Sequence, residues 1–421
     1  MTRLEADKEP AKIAAKIAAK IAAKDEGESI GLMEPMLISE SGGQRGPIAD
    51  LALEVAQKSA SLKASLPQGV ASALADLVRS MNCYYSNLIE GHDTHPIDIE
   101  RALKADYSKD PKKRDLQLEA RAHIATQKWI DEGGLDGRAT TGAGLLDTHR
   151  KFCELLPPDM LWVENPDTKE RVPVIPGEFR TRDVKVGSHI AVSPGAVPRF
   201  IKRFEESYAK LGKVDSVIAA ATAHHRLLWI HPFIDGNGRV VRLMSYAMLR
   251  SALDTGGIWS VARGLARSVE DYKAHLASCD QTRRNDLDGR GNLSEEALAN
   301  FASYFLKTCL DQITFMESLV QPDELRTRML VWVEEEVKAD RLPAKSGKLL
   351  ESILFRGELP KGDVEKLLEV SERSARRFYT ALIDRGILTT EGTHAPLRIA
   401  FPAALASRWM PGLFPDKKDK D

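Results

Sequence analysis

The sequence predicts a mainly α protein that carries one short β-hairpin and ends in a smaller helix-and-strand module. Three observations predict it. Apolar residues recur at helical spacing on both sides of residues 231–242, with Val214, Val217, Ile218, Ala221 and Leu228 before and Val240, Leu243, Met244, Ala247 and Met248 after. A single stretch alternates with period two, Val184 and Val186 against Ile190 and Val192 around Gly187 and Ser188. After Pro322 the helical patterns shorten and give way to a strand-like run. With 421 residues, 43% of them hydrophobic, the chain can bury a substantial core in two or three domains.

Composition removes several function classes. A formal net charge of −1 gives no bulk electrostatic case for nucleic acid. Cys83, Cys153, Cys279 and Cys309 lie far apart without a Cys-x-x-Cys pair, so neither a zinc knuckle nor a disulfide framework is expected, and a cytoplasmic location fits them best. No apolar run of about 18 residues is present, so no membrane partner is expected. The N-terminus lacks the apolar core of a secretory signal.

In chain order, residues 1–47 read as a low-complexity tail and linker. Ile13, Ile17 and Ile21 and Lys12, Lys16, Lys20 and Lys24 repeat every four residues; a tail outside the fold is the simpler reading, a weak surface helix the alternative. Residues 48–110 read as a helical region in which Leu74, Leu77, Met81, Tyr84 and Leu88 form a core stripe that stops at Gly91. Ser86 and Glu90 share one face of its last turn. There Glu90 opposes the negative end of the macrodipole, which asks for a cationic partner; an exposed glutamate is the alternative.

Residues 111–320 read as the larger helical domain, with scaffold helices near 116–130 and 145–156. The hairpin residues Val184, Lys185, Val186, Gly187, Ser188, His189 and Ile190 leave a strand edge open to peptide addition, or stand as a surface hairpin without a partner. His224 and His225 point about 100° apart on a helix and complete no tetrahedral metal set. Residues 286–297 resemble a calcium loop, but Arg290 and Ala297 stand where ligands belong, so a loop capped by Ser294 into a helix at 294–310 is expected. Residues 321–421 read as three helices, near 345–355, 363–370 and 371–386, followed by a wing. That order resembles a winged helix-turn-helix module, with Arg373, Arg376 and Arg377 on its third helix placed for phosphates or base edges, so DNA is one candidate partner and protein another.

The densest chemistry lies in residues 231–242. Glycines opening a helix let amides converge on an anion beside the positive helix end. Arg239 and Arg242, three apart, can face the same site, and two forked cations suit a polyphosphate. Asp235 can hold Mg2+ that keeps waters elsewhere, and His231 is the natural general base.

This run resembles the Fic family signature, His-x-Phe-x-Asp/Glu-Gly-Asn-Gly-Arg-x-x-Arg, at every specified position. The resemblance implies a Fic-type helical domain whose usual reaction transfers AMP from ATP to a Ser, Thr or Tyr hydroxyl of a target protein, or of the chain itself. It assigns His231 as base, Asp235 to Mg2+, Gly236, Asn237 and Gly238 to the phosphates, Arg239 and Arg242 to their charge, and Phe233 as a buried anchor. The hairpin resembles the flap that precedes the signature, and Gly177 to Arg180 resembles the element leading into it. Ser86, Glu90 and Gly91 resemble the inhibitory motif Ser/Thr-x-x-x-Glu-Gly/Asn, whose glutamate pairs with the second arginine, here Arg242. Removal of AMP, transfer of another phosphate-containing group, a nucleotide-sensing DNA-binding regulator and a homodimer stay open.

Overall fold

A computed structural model describes residues 23–165 and 168–415; the Ile/Lys repeat at 11–22 lies outside them. Helices dominate. In chain order they are α1 (Arg45–Ala64), α2 (Gln68–Ile89), α3 (Pro96–Leu103), α4 (Pro111–Asp131), α5 (Gly142–Cys153), α6 (Val197–Tyr208), α7 (Lys213–Ile230), α8 (Asn237–Leu253), α9 (Ala262–Arg267), α10 (Val269–Cys279), α11 (Glu295–Val320), α12 (Pro322–Lys338), α13 (Ser346–Arg356), α14 (Val364–Leu368), α15 (Glu372–Asp384) and α16 (Ala406–Trp409).

Local chemistry explains many of these boundaries. Proline at the first turn and an Asp110 side chain accepting from the Lys112 amide start α4, Thr141 caps α5, and Ser294 accepts from the Ala297 amide at 3.0 Å to start α11. Asp288 is the support of that last cap: one carboxylate oxygen accepts from the Ser294 hydroxyl and the Glu296 amide, both at 2.9 Å. The 286–297 stretch is thus a capped loop, as its sequence predicts.

Around the antiparallel pair α7 and α8 the core assembles: α7 packs against α1, α6 and α11, while α8 packs against α5. Both central helices are buried on almost every face, which is why their apolar periodicity is broad rather than striped.

Residues 23–44, read from sequence as a linker, instead form a strap bound to the domain. Met33, Met36 and Ile38 are buried. Ser193 donates to the Glu28 carboxylate through its hydroxyl at 2.6 Å, Arg203 Nε donates to Glu34 at 2.6 Å, and buried Arg226 donates twice to the Pro35 carbonyl, at 3.0 and 2.7 Å. Scattered acids and glycines looked like a spacer because their arginine partners lie about 170 residues away.

The strands are short. β1 (Trp162–Glu164) and β2 (Arg171–Pro173) form an antiparallel hairpin that the sequence reading did not anticipate, although Asn165 and the residues after it carry turn chemistry. β3 (Lys185–Val186) pairs with β4 (His189–Ile190) in the anticipated hairpin, with Gly187 at φ 60° in the turn; the ladder is two residue pairs long, not the full 184–192 alternation. β5 (Glu358–Leu359), β6 (Leu388–Thr389) and β7 (Leu397–Ile399) make a three-stranded sheet in the order β5-β7-β6 beside α13, α14 and α15.

This C-terminal unit leans on α2. Tyr85 donates its hydroxyl to the Leu413 carbonyl at 3.0 Å, and Tyr84 meets Phe414 edge to face at 5.7 Å. At the other end of α2, Gly69 touches the Gly357 turn, and a Cβ at Gly69 would overlap the Gly357 carbonyl. Gly69→Ala is therefore expected to lower stability by about 1–3 kcal/mol, whereas Gly43→Ala, which faces open space, leaves it unchanged. Thermal unfolding of the two variants checks this, and equal midpoints contradict the close contact.

Candidate active site

His231 ends α7 in the left-handed region, at φ 49° and ψ 62°. A residue other than glycine held there costs on the order of 1–3 kcal/mol, so the surroundings must fix it. Pro232 stops the helix by lacking an amide hydrogen. Arg180 then holds the turn: Nε donates to the His231 carbonyl at 2.7 Å, the other nitrogens reach the Ile230, Val192 and Arg182 carbonyls, and its own amide donates to Pro232 at 2.9 Å. Burial lowers the pKa of this guanidinium to about 10. The hairpin is tied to the same place, since His189 donates to the Trp229 carbonyl at 2.8 Å.

Phe233 is fully buried and stacks on His149, centroids 3.9 Å apart and planes 4° from parallel. His149 was not visible as a site residue in the sequence. Its Nδ1 accepts from the Gly177 amide at 2.9 Å, and burial lowers its pKa to about 4, so it is a neutral support for the loop. Asn237 closes the loop on itself, accepting from the Phe233 amide at 3.0 Å and donating to the Phe233 carbonyl at 2.8 Å. In this structure the Asn237 side chain thus shapes the cradle, and backbone amides face it.

Gly236 stands at φ 78° before α8, whose first turn has no side-chain cap. Such a helix start is an anion site with its donors unspent. An anion stands beside it. The Glu90 carboxylate lies over Gly238, so closely that a Cβ at Gly238 would collide with it. Arg242 holds that carboxylate at 2.5 Å, donates from Nε to the Ser86 hydroxyl at 2.9 Å and from Nη2 to the Ser86 carbonyl at 3.0 Å. Burial works to raise the Glu90 pKa, but Arg242 and then Arg239 outweigh it and hold the carboxylate below its usual range.

Asp235 is half exposed at the rim, 3.5 Å from Arg239. His231 is largely enclosed; burial is the main force lowering its pKa to about 4, and a hydrogen bond to the Leu228 backbone opposes it. At neutral pH it is an unprotonated imidazole able to accept a proton. His224 and His225, by contrast, are structural: His224 bridges the Ser245 and Tyr272 hydroxyls at 2.8 and 2.6 Å, and His225 meets Asp280 at 2.9 Å. His123, buried beside the two arginines, has its pKa lowered to about 3, first by burial and then by their charge.

The hairpin residues Val184 to Ile190 flank this site through their tie to Trp229, and Ile190 is 72% exposed. Among the described residues no group of three or more His, Cys, Asp or Glu gathers as a metal cluster, and no helix is long and apolar enough to cross a membrane.

Comparison with known proteins bears on the same segment. The model of the Fic/DOC family matches residues 145–249. The proteins named protein adenylyltransferase Fic from Drosophila erecta and Drosophila grimshawi are each 30% identical over 171 residues, 40% of this chain and 32% of theirs. The chain thus matches about a third of the length of these curated relatives. A solved Fic family protein from Desulfovibrio desulfuricans G20 is 17% identical, over 83% of this chain and 96% of that one, with a TM-score of 0.46.

The Glu90 contact predicts a pH-dependent stability. Its carboxylate pKa is depressed on folding, so its contribution is present above the unfolded value near 4.5 and is lost as pH falls through the folded value. Glu90→Ala, which leaves buried Arg242 short of an acceptor, is expected to cost about 1–3 kcal/mol at pH 7. Denaturant unfolding should show that gap narrowing below pH 4.5; a gap that is constant with pH contradicts the ionised pair.

Proposed function

The chain belongs to the Fic/DOC family through residues 145–249, and from that premise we propose that it is a protein adenylyltransferase, moving AMP from ATP to a Ser, Thr or Tyr hydroxyl and restrained by Glu90. The observation that carries the reading is the anion standing beside the cradle. A carboxylate bound by Arg242 over the first amides of α8 stands beside a place built for negative charge.

The residues divide the work. Neutral His231 takes the proton of the target hydroxyl as its oxygen attacks the α-phosphorus and the bond to pyrophosphate breaks. Amides of Gly236 to Gly238 receive phosphate oxygens, while Arg242 and Arg239 offset their charge. Asp235 fits Mg2+, since its oxygen donors are hard, partly exposed and beside the cradle; the ion when bound neutralises phosphate charge. The exposed edge of β3 and β4 orders the acceptor peptide by strand addition.

Restraint follows from the capacity of one side chain. Arg242 cannot serve a carboxylate and a phosphate at once. If about 1% of molecules are competent while Glu90 is seated, the bias is about 2.7 kcal/mol, a size that one enclosed charged contact can supply.

A second reading concerns the C-terminal module alone. Arg373, Arg376 and Arg377 are exposed on α15, beside the β5-β7-β6 sheet, an arrangement suited to a winged helix-turn-helix contact with duplex DNA. Binding that weakens steeply with salt supports it, and no binding at low salt removes it.

Incubation with Mg2+ and ATP labelled at the α or γ phosphate tests the main reading. Glu90→Gly is expected to raise protein-bound α label by about one to two orders of magnitude, with no γ label, and His231→Ala in that background to abolish it. Equal labelling of wild type and Glu90→Gly contradicts the restraint. For Glu90→Gly, kcat/KM should stay flat from pH 7.5 down to 6 and fall only towards the lowered pKa of His231, about 4; a fall centred near pH 6.5 contradicts the enclosed neutral base.

A further inference from the structure

Arg239 is buried between Glu119 on α4 and the rim residue Asp235. Its Nη1 donates to Glu119 on α4, its Nη2 lies 3.5 Å from Asp235, and its guanidinium carbon stands 5.2 Å from the Phe152 ring centre. Its Nε is buried with no hydrogen-bond partner. Glu119 is only 3% exposed and accepts from a second donor, Nδ1 of His92, at 2.9 Å. Burial alone would raise the Glu119 pKa, but His92 and Arg239 together hold it down, so the carboxylate is charged.

The position of His92 gives this chain its interest. It follows Glu90 and Gly91 in the turn that ends α2, and its amide donates to the Asn87 carbonyl at 2.9 Å. One turn therefore reaches both arginines of the loop. Glu90 contacts Arg242 directly, and His92 contacts Arg239 through Glu119.

We propose that Glu119 is a positioning residue for Arg239, and that His92 makes this positioning answer to the same turn that carries Glu90. The proposal rests on the reading of the loop as a phosphate site. A guanidinium is a flat fork, and anchoring one terminal nitrogen on a buried carboxylate fixes which edge the other presents. Here the fixed edge faces Asp235 and the cradle. A buried carboxylate needs more than one donor, and here the second comes from the turn that carries Glu90. With that donor in place, withdrawal of Glu90 and release of Glu119 by His92 become parts of one movement, which leaves the carboxylate to Arg239 alone.

The test reads nucleotide binding directly. In Glu90→Gly protein, calorimetry with Mg2+ and a non-hydrolysable ATP analogue gives Kd, and α-label transfer is followed alongside. Glu119→Gln is expected to weaken Kd about tenfold, Glu119→Asp to restore part of the loss, and Glu119→Gln added to Arg239→Ala to cost nothing further. In protein that keeps Glu90, His92→Ala is expected to tighten Kd severalfold by freeing the turn, an effect that disappears in Glu90→Gly. Unchanged Kd in folded Glu119→Gln, or additive losses in the Arg239→Ala double variant, overturns the positioning role. If Glu119→Gln does not fold, the His92→Ala pair decides: equal effects with and without Glu90 overturn the coupling. Tight binding with no label transferred counts against adenylyl transfer alone and leaves this proposal standing.

Discussion

Arg242 is the constraint on which the site depends. It is buried, permanently charged and the sixth residue of α8, one turn beyond the helix's first amides. A cation placed there must have an anion, because an uncompensated buried charge costs several kcal/mol. Ser86 supplies two acceptors and Glu90 supplies the charge. The need for a counter-ion explains why a carboxylate from another helix sits on Arg242. A carboxylate on α8 itself would be permanent, whereas Glu90 is contributed by the C-terminal turn of α2.

Around that pair, the other contacts keep the loop from adapting. Left-handed His231 is held by Arg180 through carbonyls on both sides of the turn, Asn237 stitches the loop to Phe233, and His149 and Phe233 stack beneath it. These groups are buried and spend their hydrogen bonds on backbone, so they contribute shape rather than charge. Under the proposed reaction the chemistry falls to a small set: the enclosed imidazole of His231, the half-exposed carboxylate of Asp235 and the first amides of α8. Such a division would let the turn that carries Glu90 move without dissolving the loop.

What the sequence made legible follows the range of each interaction. Residues 231–242 declare themselves because base, acid, glycines and arginines are packed into one loop, and Ser86 with Glu90 because four-residue spacing puts them on one helical face. Arg180 was noticed only through its neighbour Gly177. Glu119, His92 and His149 gave no local signal: Glu119 meets Arg239 across 120 positions, and a glutamate among Leu118, Ala120 and Arg121 reads as a solvated face. The strap at 23–44 failed for the same reason, since its acids find their arginines only in the folded chain. The β1 and β2 hairpin is a different case; its turn chemistry is present in the sequence, but each strand is only three residues long.

α2 carries the argument beyond the loop. Its last turn places Ser86 and Glu90 on Arg242, its first turn abuts the Gly357 turn of the C-terminal unit, and Tyr84 and Tyr85 on its flank meet Phe414 and Leu413. Between these contacts α2 packs on β7 beside a cavity of about 790 Å³, lined in part by Asp76 and Ser80 on one wall and Arg398 and Phe401 on the other. The helix is thus supported at both ends by a unit that never touches the cradle. A hundredfold change in the competent population needs only about 2.7 kcal/mol, no more than the cost of one poorly accommodated contact along a helix of 22 residues. If Glu90 restrains the site as proposed, a difference so small can be shifted by contacts at either end of α2.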